Sequence, residues 1–71
     1  MKYILLSATN NFYINSDNQA RIIPDFFFLK ISEYTPLMFD TEEAAARVAT
    51  ALNEILKTRE RIADIKPLRI V

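Results

Sequence analysis

The carboxylates are the side chains whose type could support acid–base or metal chemistry. Glu42 and Glu43 are adjacent, so on a helix they point in different directions, and they are most simply first-turn charges that complement the helix dipole. The four aspartates lack the spacing of a metal-binding loop: Asp17, Asp25, Asp40 and Asp64. We therefore expect no catalytic carboxylate pair and no metal site.

The candidate nucleophiles are Ser7, Ser16 and Ser32, and none has a partner that could activate it. The chain contains no histidine and no cysteine, which removes the commonest general base, the thiolate nucleophile and the commonest transition-metal ligands. It also contains no glycine, which excludes a glycine-rich phosphate loop. We expect a protein that is not an enzyme and that uses no cofactor and no small-molecule substrate.

A basic cluster near the end of the chain supplies the candidate nucleic-acid contacts: Lys57, Arg59, Arg61, Lys66 and Arg69. With Glu60 and Asp64 among them, the local excess is positive, and Tyr13 and Tyr34 could stack on bases. The alternative is a solvated helix end whose cations complement the dipole. Nine basic and nine acidic residues cancel over the whole chain, so we favour the helix-end interpretation and do not expect a nucleic-acid partner.

Length and composition predict one small folded domain that spans residues 1–71. A chain of this size buries only about 60% of its unfolded surface, so its stability is limited. Half of the residues are apolar, which is typical of a packed domain. The apolar run after Lys2 is too short for a signal peptide, and no segment approaches the roughly 20 apolar residues of a membrane span. We expect a cytoplasmic protein with no membrane partner.

The strands are predicted from apolar runs between turn residues. Residues 3–8 and 12–14 form two strands, joined by a turn at Asn10-Asn11, and residues 21–23 form a short extended piece that ends at Pro24. Residues 26–32 give the strongest strand signal because they are rich in aromatic and branched side chains. Residues 68–71 form the last strand. In the absence of glycine, asparagines are expected at positive φ, in the segments Asn10-Asn11 and Asn15–Asn18.

One long helix is predicted from Asp40 or Thr41 to about Arg61. With Asp40 as N-cap, Glu43 completes a capping box, and Thr41 is the alternative cap. The predicted buried stripe is Ala44, Val48, Ala51, Leu52, Ile55 and Leu56. The expected fold is therefore α+β: a small antiparallel sheet of three or four strands packed on one long amphipathic helix, with a final short strand.

Strand alternation assigns side chains to the two faces of this sheet. We expect the helix to cover the face with Ile4, Leu6, Phe27, Leu29, Ile31, Leu68 and Ile70. The other face then carries a predicted protein interface of four residues: Tyr3, Leu5, Phe26 and Phe28. Contiguous apolar surface of this kind usually marks an interface, and a two-fold homodimer is the commonest way to close it. The alternative is that the chain around residues 21–24 folds across these side chains.

The junction Leu37-Met38-Phe39-Asp40-Thr41-Glu42-Glu43-Ala44, together with the opening strand Lys2–Leu5 and the closing strand, resembles a pattern in small phage- and prophage-encoded proteins of bacteria. The similarity covers half of the chain, whereas Phe26-Phe27-Phe28 and the missing glycines depart from the pattern. The resemblance implies an accessory protein. Some phage proteins of this size bind and block host machinery, including nuclease-based defences.

These observations together predict a non-enzymatic, protein-binding accessory protein. The resemblance adds a phage origin, a host or phage protein as the target, and inhibition of host defence as a possible role. A small nucleic-acid-binding or regulatory protein that uses the basic cluster is the alternative function.

Overall fold

The computed structural model describes residues 1–71 and contains four strands, one α-helix and two turns of 3-10 helix. The strands are β1 (Tyr3–Ser7), β2 (Phe12–Ile14), β3 (Ala20–Ile22) and β4 (Lys66–Arg69). They form one antiparallel sheet in the order β3-β2-β1-β4, and the helix α1 (Glu42–Thr58) precedes the last strand. The predicted α+β fold, with a four-stranded sheet, one helix and a final strand, is confirmed.

Asparagine occupies the tight turns, as the absence of glycine predicts. Asn11, before β2, has φ 54°, and Asn18, before β3, has φ 62°. The left-handed region is least unfavourable for asparagine among residues that carry a Cβ. Three further residues adopt positive φ without this advantage: Thr35, Glu60 and Asp64.

The strand predicted over residues 26–32 is wrong. This segment forms two 3-10 turns, Phe27–Leu29 and Ile31–Glu33, and the first is closed by the Lys30 amide donating to the Phe27 carbonyl at 3.2 Å. Of its apolar side chains only Phe27 is fully buried, which is incompatible with the alternation of a strand. The strand propensity of these residues is overridden because the segment packs across a face of the sheet instead of pairing with a strand.

Thr41 is the N-cap of α1, so the second of the two predicted caps is confirmed. Its hydroxyl accepts a hydrogen bond from the Ala44 amide at 3.2 Å. Asp40 lies one residue earlier and forms an ion pair with Lys2. The carboxyl-to-amide capping box predicted for Asp40 and Glu43 is therefore not formed.

Replacement of the cap should be measurable because the domain is small. Thr41→Ala is expected to cost about 1 kcal/mol, within a range of about 0.5–2, and to lower the melting temperature by several degrees. Asp40→Ala is the matched control, since it removes only a solvent-exposed ion pair. Thermal unfolding followed by circular dichroism measures both. A loss in Asp40→Ala equal to that in Thr41→Ala would contradict the assignment.

The helix ends at Thr58, which is earlier than the predicted end at Arg61. The Arg61 amide donates to the Leu56 carbonyl at 2.9 Å, and the Glu60 amide donates to the Lys57 carbonyl at 3.0 Å. With Glu60 at φ 59°, this is a Schellman motif in which glutamate takes the place usually held by glycine. The motif turns the chain back toward the sheet, so residues 59–65 pack beside the helix instead of extending it.

The buried stripe of α1 is rotated relative to the prediction. Ala45 and Ala49 are its buried residues, and Val48, Leu52 and Leu56 are partly buried around them. The predicted stripe members Ala44 and Ala51 are exposed, and Ile55 is half exposed. Small residues at the centre of the contact allow the helix to approach the sheet closely. The alanines there are therefore buried more completely than the larger side chains beside them.

Apolar side chains pack on both faces of the sheet. On the helix side the buried residues are Leu5, Ile14, Ala45, Ala49, Ala63 and Ile65. On the other side Ile4, Tyr13 and Phe27 are buried, with Ile23, Ile31 and Tyr34 against them. The predicted choice of faces is wrong, because the helix covers the Leu5 side. Alternation correctly separates Ile4 from Leu5 but contains no information about which side the helix takes.

Candidate functional site: an apolar groove beside the helix

The four residues of the predicted protein interface do not share one surface. Leu5 is buried and Tyr3 is half-buried in the helix-side core. Phe26 and Phe28 flank the buried ring of Phe27 on the opposite face and are half exposed. Because residues 26–32 are not a strand, Phe26 and Phe28 are not aligned with the side chains of β1. The structure thus divides the predicted set into two core residues and two surface residues.

The basic cluster is also divided. Lys57, Arg59 and Arg61 lie at the C-terminal end of α1. Lys66 forms an ion pair with Asp64 at 3.3 Å at the start of β4. Arg69 lies at the far end of that strand, where its Nε donates to the Val71 carbonyl at 3.1 Å. Three of the five candidate nucleic-acid contacts therefore lie together, and two belong to β4.

The carboxylates are distributed over the surface and act in capping and ion pairing. Glu42 and Glu43 occupy the first turn of α1, and Asp17 binds Arg21 at 2.8 Å. The hydrogen bond and charge of Lys2 lower the pKa of the Asp40 carboxyl below its ordinary value. No three metal-ligating side chains cluster anywhere in the chain. Ion pairing and the first-turn position thus give these acidic side chains structural roles.

Between α1 and the β2–β3 half of the sheet lies a groove of about 670 Å³, which we call the apolar groove. Its floor is formed by Phe12, Ile14 and Ala20 of the two strands. Its wall is formed by three side chains of the C-terminal half of α1: Leu52, Ile55 and Leu56. The groove exists because α1 packs on β1 and β4, leaving the other half of the sheet open on the helix side.

The end of the apolar groove is formed by the chain that follows the helix. Arg59, Arg61 and Ile62 line this end, and the two arginines are the only charged residues in the lining. Three large aliphatic side chains in or beside the groove are solvent-exposed: Ile55 by 50%, Ile62 by 84% and Ile22, at the edge strand next to Phe12, by 79%. The result is a concave apolar surface whose ionic groups are all positive.

The segment that closes this end is fixed by side-chain hydrogen bonds. The Asn53 amide group donates to the Ile65 carbonyl at 3.0 Å and accepts from the Ile65 amide at 2.8 Å. The buried Ser7 hydroxyl donates to the Ala63 carbonyl. Asn10 Nδ2 donates to the Ile62 carbonyl at 3.0 Å. These bonds hold residues 62–65 against the helix and the sheet, so the groove is preformed.

A second depression, on the other side of the same segment, is lined mainly by polar and charged residues. It is lined by Glu54, Lys57, Arg61 and Asp64 together with Thr9 and Asn53. Acidic and basic groups occur in equal number there, and they are spread over a broad, shallow surface. This mixed charge gives the depression no preference for a ligand of either sign. The apolar groove is therefore the stronger candidate site.

No local pattern in the sequence predicts the apolar groove, although several of its residues belong to the predicted helix. Leu52, Ile55 and Leu56 were expected inside the core as members of the predicted buried stripe. The available signal was geometric: one helix of about 10–12 Å diameter cannot cover four strands spaced by about 4.8 Å. Without the strand order, however, no sequence pattern indicates which half of the sheet is left open.

None of the helices combines the length and the apolar character that crossing a membrane requires. No known family model matches the sequence, and comparison with curated proteins and with solved structures reveals no significant similarity.

Proposed function

We propose that this chain is a non-enzymatic protein-binding protein and that the apolar groove is its binding surface. The observation that carries the proposal is the open half of the helix-side sheet face, where Ile22, Ile55 and Ile62 remain exposed beside a preformed concave floor. Exposed contiguous apolar surface on a small domain usually marks a site of interaction. Burial of one such side chain is worth about 1.5–3 kcal/mol, so three of them supply a useful part of a binding energy.

The resemblance to small phage-encoded proteins supports a more specific form of this proposal. In that form the chain is an accessory protein that occupies a surface of a host or phage protein in the bacterial cytoplasm, and blocks a defence function by doing so. The small size of the domain suits this role, because a blocking protein needs one contact surface and no catalytic machinery.

The alternative function, nucleic-acid binding through the basic cluster, receives less support. Lys66 is paired with Asp64, and Arg69 lies at the other end of β4 from Lys66, so three cations remain together at the end of the helix. Three phosphate contacts would give weak binding with a shallow salt dependence. Self-association through Phe26, Phe28 and Leu29, which are exposed on the opposite face, is a separate possibility for a protein partner.

Photo-crosslinking tests the proposed function with a matched control. A photoreactive amino acid is placed at Ile55 or Ile62 in the apolar groove, or at Leu29, which is 88% exposed outside it. In bacterial cells we expect the two groove positions to capture the same protein and the Leu29 position to miss it. Ile22→Glu should abolish the adduct, since the new charge would lie at the edge of the groove.

Three results of this experiment would contradict the proposal. The first is the same adducts from Leu29 as from Ile55, and the second is no groove-dependent adduct at all. The third is capture of a second copy of this chain from Leu29 alone, with sedimentation showing a dimer that Phe26→Ser with Phe28→Ser dissociates. That last result would support the homodimer instead.

A further inference from the structure

The helix-side face of the sheet is wider than one α-helix. Four strands spaced by about 4.8 Å make a sheet about 19 Å wide, and a helix with its side chains is about 10–12 Å across. Helix α1 occupies the β1–β4 half on this side. The remaining half, over β2 and β3, is not covered by α1 and has Phe12, Ile14 and Ala20 as an apolar floor.

The wall of the groove presents helical ridges to an incoming element. Leu52, Ile55 and Leu56 are spaced by three and four residues, so they form a continuous ridge along α1. An amphipathic helix lying beside α1 would place its apolar stripe on both this ridge and the strand floor. Two helices would then cover the four strands, which is how a two-layer α/β packing normally closes.

The charges at the end of the groove favour an acidic occupant. Arg59 and Arg61 are the only ionic residues in the lining, and Lys57 lies in the last turn of α1. Glu60, between the two arginines in sequence, does not line the groove. Acidic side chains, or the negative end of a helix dipole, are stabilised next to such a positive end.

A strand added to the edge of the sheet would use the site less well. In β3 only Arg21 forms a hydrogen-bonded pair with β2, through Tyr13, so the peptide groups of Ala20 and Ile22 point to the free edge. An added strand could pair there, but it would extend the sheet outward and leave the floor over β2 and β3 uncovered. A helix fills the space that the structure leaves open.

We propose that the apolar groove receives an amphipathic helix of a partner protein, with acidic residues at the end where Arg59 and Arg61 lie. This rests on the proposed protein-binding function and adds the chemistry of the partner: an apolar stripe at helical spacing, flanked by aspartate or glutamate. The partner helix completes the layer over the sheet.

Selection from a display library of random 16-residue peptides tests the proposal without knowledge of the partner. The folded chain is the target, and Ile55→Glu with Ile62→Glu, checked for an unchanged circular dichroism spectrum, is the counter-target. We expect the enriched peptides to carry apolar residues at i, i+3 or i+4, and i+7, together with acidic residues. A labelled representative peptide should become helical on binding.

Charge reversal then tests the role of the arginines. Arg59→Glu with Arg61→Glu should weaken binding of the representative peptide by at least about fivefold, and the effect should shrink at high salt. Lys30→Glu, a matched reversal on the 3-10 segment outside the groove, should leave the affinity unchanged. A version of the peptide with lysine in place of its acidic residues should bind more weakly to the unmodified chain.

The outcomes separate this inference from the proposed function. If the peptides that require the groove carry apolar residues at every second position, they bind as an added strand. The proposal of a partner helix is then wrong. If helical peptides bind the groove and the arginine reversal does not change their affinity, the proposal of an acidic partner is wrong. Enrichment of the chain's own segments from a library of its fragments would point to a second copy instead. If no peptide distinguishes the chain from the counter-target and no groove adduct forms in cells, both proposals fail.

Discussion

Phe27→Ala is expected to destabilise the domain by about 3–5 kcal/mol, which is comparable with the whole stability of a chain this small. The Phe27 ring is fully buried and stacks on Tyr13 with ring centroids 4.4 Å apart. It also contacts the rings of Phe28 and Tyr34. Alanine would remove the side chain through which the 3-10 turns pack on Ile4 and Tyr13.

Phe28→Ala is the control for this prediction, since it removes the same side chain from a half-exposed position in the same turn. We expect it to cost at most about 1 kcal/mol. Urea unfolding followed by circular dichroism measures both variants. Equal losses would mean that Phe27 does not anchor the segment. A loss below 1 kcal/mol in Phe27→Ala would mean that this side of the sheet contributes little to stability.

Asn53→Ala is expected to cost about 1–3 kcal/mol, the second largest effect among the substitutions considered. The side-chain amide of Asn53 satisfies both the amide and the carbonyl of Ile65, a residue that is buried in the helix-side core. Alanine leaves both backbone groups without a partner in a place that water reaches poorly. The connection between α1 and β4 then loses its attachment to the helix.

Glu54→Ala provides the matched control, because Glu54 is the next residue in the same helix and its side chain is exposed. Asn53→Asp should fall between them, since it keeps an acceptor for the Ile65 amide and loses the donor to the carbonyl. Chemical denaturation and amide hydrogen exchange at Ile65 measure the effect. Unchanged protection of the Ile65 amide in Asn53→Ala would contradict the expectation.

Much of the architecture follows from local signals that the fold does not override. The turn at Asn10-Asn11, the short strand Phe12–Ile14 and the helix start after Asp40 depend on neighbouring residues, so they can be predicted from sequence. The segment 26–32 could not be predicted in this way. Its aromatic side chains favour a strand locally, but they are needed as a cover for Ile4 and Tyr13, and that demand arises only in the assembled sheet.

The candidate site shows the same division between local and long-range information. An exposed apolar surface was predicted from the sequence. The location was not, because Tyr3 and Leu5 belong to a strand whose helix-facing side cannot be chosen by alternation. The groove beside Ile55 depends on strand order and on the position of α1, both of which are set by pairing between distant segments.

The glycine-free turns have a consequence for the unfolded chain. Five residues hold left-handed backbone without glycine, and the strain for an ordinary side chain there is about 1–2 kcal/mol, less for asparagine. A chain without glycine, however, explores fewer backbone states when it is denatured, and so loses less entropy on folding, by about 0.4–1 kcal/mol for each glycine avoided. Denatured-state stiffness therefore offsets part, but not all, of the native strain at these turns. The disordered chain is already restricted before it folds, which lowers the net cost of its tight turns.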